Sequence, residues 1–572
     1  MRSLSLYRSC LVICVLGLSQ AAPALAADVS SRDTAGAEEA RFQRDRLEDN
    51  VRPASSEAPS VIKESAPAPV ADDGATFRVS DIRITGNHSI PDAQLRPFAA
   101  TLIGREVSLA DIRAAVDGMK KYYRAKGFVA AYVYIPPQQL SDGVLKIDVL
   151  EGRLGAVKVT GGRWFSSARL ERFFRLKPGE VLRYETLRRY LDRVNDHQDV
   201  KAKAVLAPGA ETGTTDVKIE IEDKAPYHLS GDINNSGTEN TGEYRYGLAA
   251  SHTNLTGNLD KLESSLQFGK GVDALGAGYS LPVNDTLGTR LGYTFSYATV
   301  DVGGSFAPLD VKGTAETHRV YASQPLFEKE NFRVSGTLGV DSKNVENKLL
   351  GAVSGKDALI VPNADISLKE TDGAGATLLS NRFSLGIADF LGSSDRNDRS
   401  MSRLGTGGDF FSYRGTAVRV NKISNEVLMV LRGTLQLSPD ALAPSEQISL
   451  GGARSVRGYQ EGEYLGDQGG YASADIYVQA WFIPEEWRLL WAEENLKKQV
   501  QLIFFADAGR ASLRKPLTGE QKDKDLAGAG GGFRMHLYDK FYGRLEWAVP
   551  LGDRPFDGRD KAFYFTVSYD FL

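Results

Sequence analysis

From residue 225 to residue 572 the chain alternates apolar and polar side chains with a period of two, and no other feature constrains its fold as much. Leu262, Leu266 and Phe268 alternate with Lys261, Glu263, Ser265 and Gln267. Leu291, Tyr293, Phe295 and Tyr297 alternate with Gly292, Thr294 and Ser296. Leu545, Trp547 and Val549 alternate with Arg544, Glu546 and Ala548. The last stretch sets Phe563, Phe565, Val567, Tyr569 and Phe571 against Tyr564, Thr566, Ser568 and Asp570. Successive side chains of a strand point to opposite faces, so each run is a strand with one greasy and one wet face. A soluble sandwich also alternates, but it uses only about 100 residues. Short connections at 254–257, 282–286 and 421–425 take turns with long polar ones at 300–312, 391–408 and 438–470. That rhythm is the habit of outer-membrane barrels. The span holds about 16 antiparallel strands, although the pattern does not define boundaries within 343–366. The connection 482–498 falls on the short-turn side and breaks the rhythm.

Only helices and closed barrels cross lipid, because every backbone N–H and C=O must be paired there. Residues 1–26 read as a secretory signal peptide: Arg2 and Arg8, then an apolar stretch over 10–18, then Ala24-Leu25-Ala26. Beyond it no apolar run approaches the length of a spanning helix, so a membrane role must come from strands. Cys10 and Cys14 both lie in the signal, which leaves the mature chain without a disulfide, a thiolate nucleophile or a cysteine metal site. Loss of Arg2 and Arg8 takes the formal charge from −4 to −6, which argues against a nucleic-acid partner. The six histidines are scattered and show no metal-site spacing, so no cofactor, metal or catalytic centre is expected.

Between signal and barrel, residues 27–75 contain a charged, helix-compatible segment at 35–50. Pro53, Pro59, Pro67 and Pro69 then mark a linker. Order begins near Thr76. A strand over 77–85 is followed by a short helix after Pro91 and a longer helix over 109–126, on which Leu109, Ile112, Val116, Met119 and Tyr123 share a face. Ser108 and Asp111 form a capping-box pattern at its start. Strands over 128–135 and 144–150 complete the module. The same order returns: a strand at 154–160, helices at 167–175 and 184–195, and strands at 200–206 and 215–222. Two modules of one plan form an internal repeat at domain scale.

At this point the sequence resembles the transporters of two-partner secretion, the haemolysin activation and secretion type within the BamA-like superfamily. Ile84-Thr85-Gly86-Asn87, the run from Tyr122 to Phe128, and Val149-Leu150-Glu151-Gly152 look like marks of that family's first polypeptide-transport-associated (POTRA) domain. The resemblance implies α+β POTRA modules at 76–152 and 153–224, followed by an all-β transmembrane barrel at 225–572. Asn235-Ser236-Gly237 and Asn254-Leu255-Thr256-Gly257 match the first barrel turns. The most specific match is Leu450-Gly451-Gly452-Ala453-Arg454-Ser455-Val456-Arg457-Gly458-Tyr459. In the family this tip of the sixth outer loop, here 438–470, folds back into the barrel. The resemblance implies that Arg457 meets an acid in the wall motif Phe504-Phe505-Ala506-Asp507-Ala508-Gly509. The site expected from it comprises Val456, Arg457, Gly458, Tyr459, Phe505, Asp507 and Gly509, with Gly451 and Gly452 shaping the loop. A guanidinium suits that role because its fork of donors grips a carboxylate bidentately. The segment at 35–50 resembles the family's helix that plugs the pore at rest.

The function implied is secretion of a partner exoprotein, met unfolded in the periplasm by the POTRA modules, through a monomeric barrel set in outer-membrane lipid. Other readings stand beside it. An insertase would assemble other barrels, and a diffusion porin or a surface adhesin would be of a different class, a porin having no need of the modules at all.

Overall fold

The computed structural model describes residues 76–139, 142–211, 213–488, 495–538 and 540–572. The expected signal peptide, plug-like segment and proline-rich linker lie outside these residues. The described chain forms two compact units, divided at Tyr227.

In the first unit the expected strand over 77–85 is split into β1 (Thr76–Arg78) and β2 (Asp81–Thr85). α1 (Asp92–Ala99), β3 (Glu106–Ser108), α2 (Leu109–Ala125), β4 (Tyr132–Tyr134) and β5 (Val144–Leu150) follow. β5 is central, parallel to β2 and antiparallel to β4. α2 starts at Ser108, whose hydroxyl accepts from the Asp111 N–H while Asp111 accepts from the Ser108 N–H, so the capping box forms in full. Its buried face carries Ile112, Val116, Met119 and Tyr123, packed with Ile82, Leu95 and Ile147. The expected strand at 128–135 is ordered as strand only over β4, because Phe128 and Ala131 turn inward to the core instead.

The second module repeats the plan with β6 (Arg153–Gly161), α3 (Ser167–Glu171), α4 (Tyr184–Asn195), β7 (Val200–Pro208) and β8 (Thr214–Asp223) in the order β6-β8-β7. α3 stops four residues short of the expected end; Phe173 and Phe174 leave the helix to bury their rings. The duplication extends to single residues. After β5, Glu151 accepts from the N–H and hydroxyl of Ser89, in the loop that follows β2. Asp223, at the end of β8, accepts from the N–H groups of Arg163, Trp164 and Phe165, in the loop that follows β6. Between the modules, Tyr184 N–H donates to Gly127 O at 2.9 Å, the Arg183 guanidinium lies over the Phe128 ring, and Val181 packs against the first core.

The second unit is a closed barrel of sixteen antiparallel strands. They are β9 (Tyr227–Asn234), β10 (Arg245–His252), β11 (Lys261–Gly269), β12 (Val272–Asn284), β13 (Thr289–Val302), β14 (Val311–Lys329), β15 (Phe332–Leu349) and β16 (Ala352–Asp372), followed by β17 (Gly375–Gly386), β18 (Phe410–Lys422) and β19 (Val427–Leu437). The next connection holds a small hairpin of β20 (Ile448–Leu450) and β21 (Tyr464–Gly466). The wall resumes with β22 (Gln468–Gln479) and, after the short helix α5 (Leu496–Gln499), continues through β23 (Val500–Ser512), β24 (Asp523–Leu537), β25 (Phe541–Pro550) and β26 (Ala562–Asp570). β26 closes on β9 through five residue pairs, from Thr566 with Asn234 to Asp570 with Ser230. Beyond them the Asn235 carboxamide continues the pairing, donating to Phe563 O and accepting from Phe565 N–H.

Closure gives every wall strand a hydrogen-bonded neighbour on both sides, which is what lipid requires. No described helix is long and apolar enough to cross a membrane. The outward positions are the apolar ones read from the sequence, such as Leu262, Leu266, Phe268, Leu291, Trp547 and Phe563, all well exposed on the barrel wall. β14, β15 and β16 are 19, 18 and 21 residues long, where about 9–11 suffice to cross the bilayer. The excess rises out of lipid, and this is why alternation fails to mark boundaries within 343–366.

Candidate functional site: a loop tip tied to the inner wall

The connection at 438–467 carries its tip into the barrel lumen. Gly451 and Gly452 both have φ of +98° and Gly458 has +107°, values that other residues adopt only with strain. Between them Arg457 is 2 % exposed. Its Nε and Nη2 grip both oxygens of Asp507 on β23 at 2.7 Å each, and its backbone N–H adds a third bond to the same carboxylate. Nη2 also reaches Asp475 Oδ1 at 2.5 Å and Ser473 Oγ at 3.0 Å, both on β22. Nη1 reaches Glu546 Oε1 on β25 at 2.8 Å. The guanidinium carbon lies 3.4 Å from the centroid of the Phe505 ring, a cation–π contact.

Register explains the convergence. Ser473 pairs with Asp507 across β22 and β23, and Asp475 with Phe505, so all four face the lumen. Two wall arginines supply the remaining charge. Arg432 bonds Asp475 at 2.6 Å and Arg544 bonds Glu546 at 2.7 Å. Three guanidinium groups thus meet three carboxylates, and the cluster is locally neutral. Such a network adds little to stability compared with apolar packing, but losing a single member leaves a bare charge in a buried site.

The rest of the tip is held by its backbone and by close packing. Tyr564 of β26 accepts from Gly458 N–H at 2.9 Å and donates to Tyr459 O at 2.6 Å. Tyr459, 1 % exposed, donates through its hydroxyl to Ala527 O and accepts from Gly552 N–H. Val456 is buried with Leu450, Tyr464, Ala511 and Leu526, and a Cβ on Gly509 would lie 3.1 Å from Val456 Cγ2. On β24 a Cβ at Gly528 would overlap the carbonyl oxygen of Arg457. The structure therefore brings together Val456, Arg457, Gly458, Tyr459, Phe505, Asp507 and Gly509, while Gly451 and Gly452 form the neck of the loop.

Sequence reasoning missed Ser473, Asp475, Glu546 and Tyr564. It also missed a second hub above the tip. Asp467, fully buried, accepts from Arg403 Nη1 at 2.7 Å, Leu442 N–H at 2.8 Å, Gln447 Nε2 at 2.9 Å and Arg514 N–H at 2.7 Å. It ties the connections at 387–409, 438–467 and 513–522 together. Gly528, at the head of the glycine-rich run in β24, was one legible sign, since its missing side chain leaves room for the Arg457 carbonyl, while Gly530, Gly531 and Gly532 lie against neighbouring wall strands. No group of His, Cys, Asp and Glu that could hold a metal occurs among the described residues.

A sequence profile described as haemolysin secretion/activation protein ShlB/FhaC/HecB matches residues 213–535. The chain belongs to that family. A ShlB-type POTRA profile matches residues 77–152, the first module. The outer membrane transporter CdiB of Escherichia coli O6:K15:H31 (strain 536 / UPEC) is 26 % identical over 488 residues, covering 82 % of this chain and 80 % of that one. The heme/hemopexin transporter protein HuxB of Haemophilus influenzae (strain ATCC 51907 / DSM 11121 / KW20 / Rd) is 24 % identical over 408 residues, covering 69 % and 71 %. Among solved structures, CdiB from Escherichia coli superposes with a TM-score of 0.69 at 22 % identity, covering 95 % of this chain and 98 % of that one. BamA from Haemophilus ducreyi lacking POTRA domains 1–3 gives 0.53 at 14 % identity, covering 86 % and 100 %, a likeness of fold.

The protein is thus a two-partner secretion transporter of the outer membrane, with its POTRA region in the periplasm. This orients the barrel. β9 follows the periplasmic modules, so the connections after β9, β11 and each second wall strand thereafter are extracellular, and the tip of 438–467 belongs to the sixth of them. The turns at the opposite end of the barrel are periplasmic.

Proposed function

We propose that this transporter takes an unfolded exoprotein from the periplasm by strand addition to its POTRA modules and threads it through the barrel as the Arg457 tip swings clear. The observation that carries this reading is the bond type at the tip. Arg457 is held by charge-assisted bonds to three wall strands, a geometry that is specific yet can be exchanged for water or for a passing chain. The tip is then a lock: Val456, Arg457, Gly458 and Tyr459 are its bolt, and Phe505, Asp507 and Gly509 its keeper.

Strand addition needs an edge with unpaired backbone groups. β7 pairs with β8 on one side, and the Asn195 carboxamide takes both the N–H and C=O of Ala202 on the other. The stretch from Ala204 to Leu206 beyond that clamp is the edge assigned to the client. We divide the chain into a signal peptide (1–26), a plug and linker (27–75), POTRA domains at 76–152 and 153–224, and the barrel (225–572). The barrel closes on its own strands, which supports a monomer as the working unit.

The test is export of the partner exoprotein by cells carrying the full chain or a variant lacking 76–224. The expected result is a variant that still conducts ions in a planar bilayer but exports nothing. Undiminished export without the modules would overturn the reading and favour a diffusion porin. Catalysed insertion of other barrels into liposomes would favour an insertase.

A further inference from the structure

The connection between β22 and β23 is periplasmic, and it runs over 480–499 where the other periplasmic turns span 2 to 8 residues. Its described part is folded. Ile483 N–H bonds Ala480 O, Trp487 N–H bonds Pro484 O, and Leu496 N–H bonds Trp487 O at 2.8 Å. Lys497 of α5 reaches Glu485 at 3.0 Å, and Asn495 caps α5. Ala480 and Ile483 are buried by this fold. The same fold holds three large rings outward: Trp481 is 63 % exposed, Phe482 57 % and Trp487 60 %.

Three aromatic rings held out by an ordered segment need a partner. Two observations choose between a lipid surface and a passing client. First, the rings are one arc of a girdle. Leu255, Leu287, Phe327, Ile423 and Tyr538 stand exposed at or beside five of the other periplasmic turns, spread around the barrel's circumference. A client entering the pore would meet one spot; a bilayer meets the whole rim. Second, the patch continues the lipid-facing wall, because Ile476 on β22 and Phe504 on β23 lead down to it and are 42 % and 50 % exposed. Trp rings beside the cations Arg488 and Lys498, with Lys497 paired to Glu485 and Glu486 exposed between the rings, have the amphipathic composition of a membrane interface, where such rings settle at headgroup depth.

We propose that the 480–488 segment, braced by α5, is an interfacial anchor whose Trp481, Phe482 and Trp487 lie in the headgroup region of the periplasmic phospholipid leaflet. It grips the membrane at the foot of β22 and β23, the two strands that carry Asp475 and Asp507.

The test uses the full mature chain in liposomes of phosphatidylethanolamine and phosphatidylglycerol, doped with lecithin brominated either near the headgroup or near the chain end. Trp164, Trp491 and Trp547 are replaced by Phe, so that fluorescence reports Trp481 and Trp487. A companion variant retains Trp547 alone, on the lipid-facing wall, and its quenching verifies insertion. The expected result is stronger quenching of Trp481 and Trp487 by the shallow bromines than by the deep ones, with weak quenching by aqueous acrylamide. Strong acrylamide quenching and indifference to both bromolipids, while Trp547 responds, would overturn the proposal. So would rings that become protected only when the exoprotein is added, a result that would assign the patch to the client.

Discussion

Replacing Arg457 with alanine removes five side-chain hydrogen bonds and a cation–π contact at one stroke. The three bonds that Asp507 accepts all come from Arg457, so its carboxylate is left buried without a countercharge. Breaking one side of a buried ion pair costs about 3–5 kcal/mol. At about 1.4 kcal/mol per decade, the ratio of detached to docked tip should rise by roughly a hundredfold to a few thousandfold. Ser455 reads this out, being only 7 % exposed beside Arg457. The only cysteines of the sequence are Cys10 and Cys14. A Ser455→Cys variant can therefore be labelled by an aqueous maleimide at a rate that follows the detached fraction. Arg457→Ala should raise that rate by two decades or more. Arg457→Lys should raise it less, because an ammonium keeps the charge but loses the fork. Adding Asp507→Asn to Arg457→Ala should lower the rate again, since the bare carboxylate is then gone. Equal labelling with and without Arg457, within a factor of about two, would refute the idea that these bonds hold the tip.

Three further outcomes follow from other parts of the chain. Gly528→Ala places a methyl group against Arg457 O and should free the tip with every charge intact, seen as increased Ser455→Cys labelling and bilayer conductance; an unchanged pore would show that the backbone shifts to make room. Asp467→Asn strips the buried Arg403 of its carboxylate, a loss of about 3 kcal/mol, so trypsin added to intact cells should cleave within 387–409 faster than in the parent. In the first module, hydrogen bonds from the backbone and hydroxyl of Ser108 hold the Asp111 carboxyl below its usual value. The folded pKa is the lower one, so the cap's contribution is present above the unfolded carboxylate range and is lost as pH falls through the depressed folded value. The protection of amides at the start of α2 in the full chain, measured against the intrinsic exchange rate at each pH, should fall on acidification, and Ser108→Ala, which keeps the backbone bond to Asp111 and loses the hydroxyl one, should shrink that pH dependence.

Alternation was enough to place the barrel, because a strand between lipid and water has no freedom to disobey it. It failed over 343–366 because the outer connections cover one face there: Leu359 and Val361 are buried against Met401, Phe410 and Leu442, and a strand that is neither between lipid and water nor free of packing need not keep the period. The pair Arg457 and Asp507 was visible through a motif, with its bland neighbours Gly509 and Phe505. Asp475 and Glu546 were not visible. Each is one acid on a polar face, no different in sequence from Glu263 or Asp341, and only the register across β22, β23, β24 and β25 reveals that they converge. Tyr564 was placed on the inward face by parity, but its bonds to Gly458 and Tyr459 join residues 105 or more positions apart, beyond the reach of any local pattern. The connection at 482–498 broke the rhythm because its described residues fold on one another, with Leu496 bonded to Trp487 and the rings of Phe482 and Trp487 exposed, where the other periplasmic connections make short turns.

The matched acids Glu151 and Asp223 carry a consequence for the periplasmic arm. Each fastens a loop of its own module and none of its neighbour's. Damage to one buckle should loosen its own bead first and reach the other only through the seam that Val181, Arg183 and Tyr184 make with Gly127 and Phe128. An arm made of self-fastened beads can gain or lose a bead by duplication with only the seam between neighbours to be remade, so its reach is a property that descent can adjust in whole-module steps.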